Sequence, residues 1–241
     1  MVYCTKEVVM LEVNGLTKKY NKVLAADNVS FTIMDGQIGV IMGPNGSGKS
    51  TTIKSIAGLL RHTGEITIQG YDNKSIESKK VFGYVPEIPT MFPLLTVREH
   101  IIYTLKAYGL PIDEEKIEYL LNTFELKDKE NKLGDELSKG MMQKVSICCA
   151  LIIEPKVLML DEPMIGLDPK AIRELKKMIL ELKDRGTTIL ISTHMLEMVE
   201  GLWDTIVILK NGKVMGQFDK DMAEGKNLEE IFFKVTGDED V

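Results

Sequence analysis

Residues 43–51 read GPNGSGKST. Three glycines among nine residues, closing on a lysine and two hydroxyls, suit neither a helix interior nor a strand, because glycine weakens both. The stretch follows the apolar run IGVIM (38–42) and precedes TTIKSIAGLL (51–60), whose apolar residues recur at helical spacing. Gly43, Pro44, Asn45, Gly46, Ser47, Gly48, Lys49 and Ser50 match G-x-x-x-x-G-K-[ST] in the strand, loop, helix context that the pattern requires. Glycines let successive backbone N–H groups turn inward around phosphate oxygens, and the helix beyond Lys49 points its positive end at them. Lys49 then reaches the β and γ phosphates, Ser50 can ligate Mg²⁺, and Thr51 completes the set. The stretch reads as a phosphate cradle rather than a glycine-rich turn.

Working outward, 241 residues suffice for a substantial core, and 44% hydrophobic with 27% charged residues is an ordinary globular composition. A net charge of −6 supplies no global positive field, so no nucleic-acid partner is expected. The N-terminal MVYCTKEVVMLEV lacks the pattern of a leader, and no apolar run approaches the roughly 20 residues of a membrane helix. A cytoplasmic location is expected. Cys4, Cys148 and Cys149 have no metal-ligand spacing and read as reduced, mostly buried small hydrophobes.

Along the chain, VVMLEV, VSFTI and IGVIM, separated by the turn signals Asn14-Gly15 and Asp35-Gly36, predict a strand-rich N-terminal part, joined by GEITIQG (64–70) and VFGYV (81–85). From Thr96 the period changes, and TVREHIIYTLKAYG and DEEKIEYLLNTFEL predict two capped helices in a helical lobe over about 90–135. A helix (140–153), a buried strand VLMLD (157–161), an amphipathic helix (168–185), a strand TILIST (188–193) and an edge hairpin TIVILKNG/KVMGQF follow. Strands alternating with helices predict a largely parallel, buried sheet. The tail from Gly225 reads as a short helix with a frayed acidic end.

The strand in VLMLDEP delivers Asp161 and Glu162 to its C-terminal end, where ligands bind in parallel sheets. Adjacent residues of a strand face opposite ways, so the two carboxylates have different roles. Asp161 is placed to hold Mg²⁺ and Glu162 to orient or deprotonate an attacking water.

From about residue 10 to 235 the chain resembles the nucleotide-binding subunit of an ATP-binding cassette (ABC) transporter. LSKGMMQKV (137–145) resembles the signature sequence of that family, followed by the DEP strand, GLDP (166–169) and STH with His194. The resemblance implies an α/β fold of the phosphate-loop NTPase type, a single domain with core and antiparallel β subdomain over about 1–89 and 136–225, a small helical subdomain over about 90–135, and a C-terminal helix and tail over 226–241. It further implies a head-to-tail dimer, with an identical or a different second ATPase subunit, in which Ser138 and Gly140 of one chain contact the γ-phosphate held by the other. Glu162, His194 and Lys49 would be catalytic, with His194 touching the γ-phosphate and the attacking water. Asp168 would couple the two sites and Tyr20 would stack on adenine. ATP and Mg²⁺ are the implied cofactors. Singly, Ser138 reads equally as a helix cap, His194 as a polar strand end and Tyr20 as core packing.

The chain departs from the family pattern at four places. Glu87 in YVPEIP stands where Gln is usual, as a metal ligand with Ser50 and Asp161. Lys139 and Met141 replace the usual signature residues, and Met164-Ile165 replace a small polar pair before GLDP. The resemblance implies that the segment from Glu87 to Pro93 docks on a separate integral membrane permease, which would hold the chain on the cytoplasmic face of the membrane. Phe92, Leu94 and Leu95 form either that docking surface or a lid, and Glu99 is a candidate docking charge. The compact length leans toward an exporter. The rivals are a soluble ATPase of the family that remodels nucleic acid or ribosomes, against which a single cassette without a coiled-coil insertion argues, and a nucleotide-binding module with little turnover, against which Glu162 argues.

Overall fold

The computed structural model describes residues 9–220 together with Phe232, Lys234 and Val235. Those three are helical, while the rest of the predicted tail, and Cys4, lie outside the described residues. Two sheets organise the chain. The first is antiparallel and joins β1 (Val9–Tyr20), β2 (Val23–Met34), β4 (Thr63–Ile68) and β5 (Tyr71–Asp72) in the order β2-β1-β4-β5. The second runs β10-β9-β3-β8-β7-β6, from β3 (Ile38–Met42), β6 (Phe82–Val85), β7 (Val157–Asp161), β8 (Thr188–Thr193), β9 (Thr205–Lys210) and β10 (Lys213–Asp219). All its neighbours are parallel except β10, which closes the edge as a hairpin with β9.

IGVIM and VFGYV therefore leave the N-terminal strands and join the parallel sheet. The Asn14-Gly15 signal is corrected too: it lies inside β1, where Gly15 takes φ 65° and the register with β2 shifts, and the chain turns instead at Asn21, φ 51°. Asp35-Gly36 does turn, between β2 and β3.

Continuous apolar strands are required because the parallel sheet is covered on both faces. Alternate residues of its strands go opposite ways, with Ile41, Met159, Leu190 and Val207 packing toward the antiparallel sheet and α1 (Lys49–Ile56). Val40, Leu158, Leu160, Ile189 and Ile191 pack into the larger cluster shared with the helices. Those helices are α3 (Val97–Ala107), α4 (Glu114–Thr123), α5 (Lys139–Ile152) and α6 (Pro169–Asp184), with short α2 (Ile76–Lys80) and α7 (Leu196–Val199) on the periphery. Each long helix begins on a side-chain cap: Thr96 for α3, Asp113 for α4, Ser138 for α5 and Asp168 for α6. At α3 the cap is reciprocal, since Glu99 N–H donates to Thr96 Oγ1 at 3.2 Å while Thr96 N–H donates to Glu99 Oε2 at 2.8 Å. Glu99, exposed, thus also helps start the helix.

Candidate functional site

The loop between β3 and α1 is shaped by backbone that only glycine allows. At Gly48, φ is 105° and a Cβ would stand 2.4 Å from Ala25 O, the strand β2 having come up beside the loop. The other wall is the β9–β10 turn, where Gly212 N–H donates to Ser47 O at 2.9 Å. Gly48 has no side chain with which to cap α1, so the N–H groups of the first helical turn face whatever anion the loop holds.

Lys49 is 6% exposed. Its Nζ donates to Gly43 O at 2.8 Å and Pro44 O at 3.3 Å, and lies 3.7 Å from Glu162 Oε1. Burial lowers its pKa against the opposing pull of Glu162 and Asp161. Glu162 follows the end of β7 with φ 47°, a left-handed backbone rare for a side-chain-bearing residue, and its N–H is shared between Ser192 O at 3.1 Å and Ser192 Oγ at 3.2 Å. Its carboxylate is inside, at 5% exposure, and its Oε1 lies 2.9 Å from His194 Nδ1. A carboxylate only accepts, so the pairing assigns the ring proton to Nδ1.

Ser50 Oγ lies 3.4 Å from both Glu87 Oε2 and Asp161 Oδ1. Asp161 Oδ1 also accepts from Ser192 Oγ at 2.5 Å, but its Oδ2 is buried without a partner. Burial raises the Asp161 pKa above the ordinary carboxylate value, and the charges of Glu87 and Glu162 push the same way while Ser192 opposes them. One hydroxyl and two carboxylates, one of which carries the orphaned buried oxygen, form a hard-oxygen donor set, which fits Mg²⁺.

Ser192 is the residue that sequence reading missed. It donates to the Asp161 carboxylate and accepts from the Glu162 backbone N–H because β8 pairs with β7 in the register Asp161↔Ser192. The penultimate serine of TILIST was the available signal.

The remaining candidates lie on other elements. Tyr20 ends β1 opposite Val23, 44% exposed, with Lys18 Nζ 4.9 Å from its ring centroid. Ser138 is exposed and accepts from Met141 N–H at 3.3 Å, so it is indeed a cap. Neither Ser138 nor Gly140 forms a hydrogen bond with the phosphate loop among the described residues. Lys139 is exposed, whereas Met141 packs on the core. Met164 turns inward to 8% exposure, so the apolar replacement before GLDP feeds the core. Asp168 accepts from Ala171 N–H at 2.9 Å and pairs with Lys144 at 2.6 Å, and the Lys144 bond holds its carboxyl below the usual range.

A family model described as "ABC transporter" matches residues 26–165. The chain belongs to the ABC transporter family. As an ABC ATPase it is 40% identical over 212 residues to the ABC-type transporter ATP-binding protein EcsA of Bacillus subtilis, with 85% of each chain covered. It is 32% identical to the SkfA peptide export ATP-binding protein SkfE of the same organism, over 86% of this chain and 87% of that one. A solved ATP-binding subunit of an ABC transporter superposes with TM-score 0.85 at 37% identity, covering 94% of this chain and 99% of its own. A dimeric cassette solved in a post-hydrolysis state with ADP and Pi gives TM-score 0.76 at 28% identity, covering 87% and 98%. The fold is accordingly that of a phosphate-loop ABC ATPase, and the activity is ATP hydrolysis in transport. Among its described residues, this ABC ATPase has no helix long and apolar enough to cross a membrane.

Proposed function

We propose that this chain binds Mg-ATP at the β3–α1 loop and hydrolyses it within a head-to-tail dimer, driving a separate membrane permease. The observation that carries the reading is the convergence of Lys49, Ser50, Glu87, Asp161, Glu162 and His194 from four segments, at the C-terminal ends of β3, β6, β7 and β8. The loop from Gly43 to Thr51 wraps the phosphates, and Tyr20 stacks on the adenine. An incoming phosphate competes with Gly43 O, Pro44 O and Glu162 for the Lys49 ammonium. Glu162, relieved of that partner, accepts a proton from water lined up on the γ-phosphate. His194, held on Glu162 through Nδ1–H, keeps Nε2 as an acceptor for the attacking water. Ser50, Asp161 and Glu87 would hold Mg²⁺, which when bound would supply positive charge to offset that of the phosphates. Ser138 and Gly140 face the γ-phosphate of the second ATPase subunit, identical or different, and complete that site.

The helical part, residues 90–135, carries the docking surface. Ile88, Phe92 and Leu94 are 72%, 52% and 80% exposed beside a cleft of about 270 Å³ lined by Tyr84, Pro86, Met91, Tyr103 and Tyr108. That exposure favours docking over a lid, although Leu95 is half-buried. The chain then sits on the cytoplasmic face of the membrane through its permease, and the similarity to SkfE, named for peptide export, supports an exporter.

The test is to trap tagged Glu162→Gln with Mg-ATP, recover it from detergent-solubilised native membranes and identify what accompanies it. A multi-span membrane protein, lost again in Leu94→Glu, is the expected result. Ribosomal proteins or nucleic acid in its place would overturn the permease reading.

A further inference from the structure

Among the described residues, the buried side-chain oxygens without a hydrogen-bond partner are Ser47 Oγ, Thr52 Oγ1, Asp161 Oδ2 and the Tyr84 hydroxyl. Buried polar groups are nearly always paired, so each orphan calls for a reason. Ser47 lies in the phosphate loop, Thr52 in the first turn of α1 and Asp161 at the metal-binding donor set, whereas Tyr84 comes from the edge strand β6. Strands β6 and β7 pair in parallel with Tyr84 opposite Met159. Side chains alternate along a strand, so Asp161, two residues beyond Met159, shares the face on which Tyr84 lies. That face packs against α1, the helix that carries Ser50, through Ile53 and Ile56. The Tyr84 ring is held there by Phe82, stacked with centroids 6.3 Å apart and planes 12° apart. Burial first, and then the charges of Asp161 and Glu87, oppose ionisation of the phenol, which keeps its proton and stays able to donate. For packing alone, phenylalanine would fill the position without the cost of an unmet hydroxyl.

We infer that Tyr84 is a positioning residue of the metal site, its hydroxyl and Asp161 Oδ2 sharing a water of the cation's hydration shell. The inference rests on the reading that Ser50, Asp161 and Glu87 hold Mg²⁺. That cation gives up water reluctantly and keeps several waters when a protein binds it through one or two carboxylates. A donor and an acceptor left unmet on one face of the sheet are the complement such a water needs. Groups that act on a metal through its direct ligands commonly govern its affinity, and Tyr84 does so from outside the phosphate loop and the DEP strand.

The experiment replaces Mg²⁺ by Mn²⁺, whose free form is read by electron paramagnetic resonance, in a titration of the purified chain loaded with a non-hydrolysable ATP analogue. In Tyr84→Phe, which keeps the ring and its stacking, the Mn²⁺ dissociation constant is expected to rise about 10-fold. Binding of the analogue in chelator should be unchanged. Tm without metal or nucleotide should be equal or higher, because an unmet buried hydroxyl has been removed. Asp161→Asn is the reference for a lost metal ligand. Mn²⁺ affinity that is unchanged in Tyr84→Phe but weakened in Asp161→Asn would overturn the inference and leave the metal site standing. A lowered metal-free Tm, or weaker binding of the metal-free analogue, would also overturn it, since either marks Tyr84 as structural. A wild type that binds Mn²⁺ no more tightly than the analogue alone does, or an Asp161→Asn variant that binds it as well as wild type, would overturn the metal-site reading and this inference with it.

Discussion

Two helix starts in this molecule look alike on paper, each following a glycine-bearing stretch and each offering backbone N–H groups to an anion, yet they are finished differently. At α1 the capping position is Gly48, which has no side chain to donate to, and a buried lysine stands beside it. At α5 the cap is Ser138, whose own hydroxyl accepts from Met141 N–H, and its surroundings are solvent. The first is a loop enclosed by its own chain, between Ala25 and the Gly212 turn. The second is satisfied locally, and in the proposed dimer it would contribute only when another chain brings a phosphate to it. Under the proposed function, that contrast would divide the chemistry between two chains.

The comparison breaks most severely at the enclosed site. Glu162→Gln is expected to lower phosphate release by about 100-fold or more while ATP binding persists. Retained hydrolysis would remove Glu162 as the base. Gly48→Ala forces a Cβ against Ala25 O in a left-handed conformation, costing about 1–3 kcal/mol, readable in thermal unfolding, and weakening ATP binding in titration. Glu87→Gln should raise the Mg²⁺ concentration needed for half-maximal hydrolysis severalfold, since a carboxylate ligand becomes an amide. An unchanged Mg²⁺ dependence would free Glu87 from the metal.

The smallest effect has the opposite sign. Asp161 has its pKa raised in the folded chain, so its charge opposes folding above the ordinary carboxylate range, and that penalty disappears as pH falls and the group protonates. Asp161→Asn removes the charge permanently. In the absence of Mg²⁺ and nucleotide it should raise Tm by about 2–4 °C for each 1 kcal/mol relieved. A lowered Tm under those conditions would show that Asp161 is not crowded by Glu87 and Glu162.

Legibility divided along the same line. The phosphate loop, the DEP strand and His194 could be read because their spacing encodes local backbone that ligand chemistry demands. The helices of the lobe could be read because Thr96, Asp113 and their apolar periods are local signals. What escaped depended on register and on distant approach. Ser192 meets Asp161 only through β7–β8 pairing, and Gly140 meets Gly166 only once α5 has packed down. Asn14-Gly15 carried the local signature of a turn but was absorbed as an irregularity in a long strand, because pairing on both sides of β1 outweighed it. Glu99, the candidate docking charge, also starts α3, and the Thr96 to Glu99 spacing is already that of a reciprocal cap.

The most direct test is the mass in solution of Glu162→Gln, 27.0 kDa per chain, measured by light scattering with Mg-ATP and with Mg-ADP, beside the same variant carrying Ser138→Arg. A dimer in Mg-ATP that reverts to monomer in Mg-ADP, and that Ser138→Arg abolishes without loss of nucleotide binding, is the expected result. A mass that ignores the nucleotide, or a dimer indifferent to Ser138→Arg, would contradict a site shared between two chains.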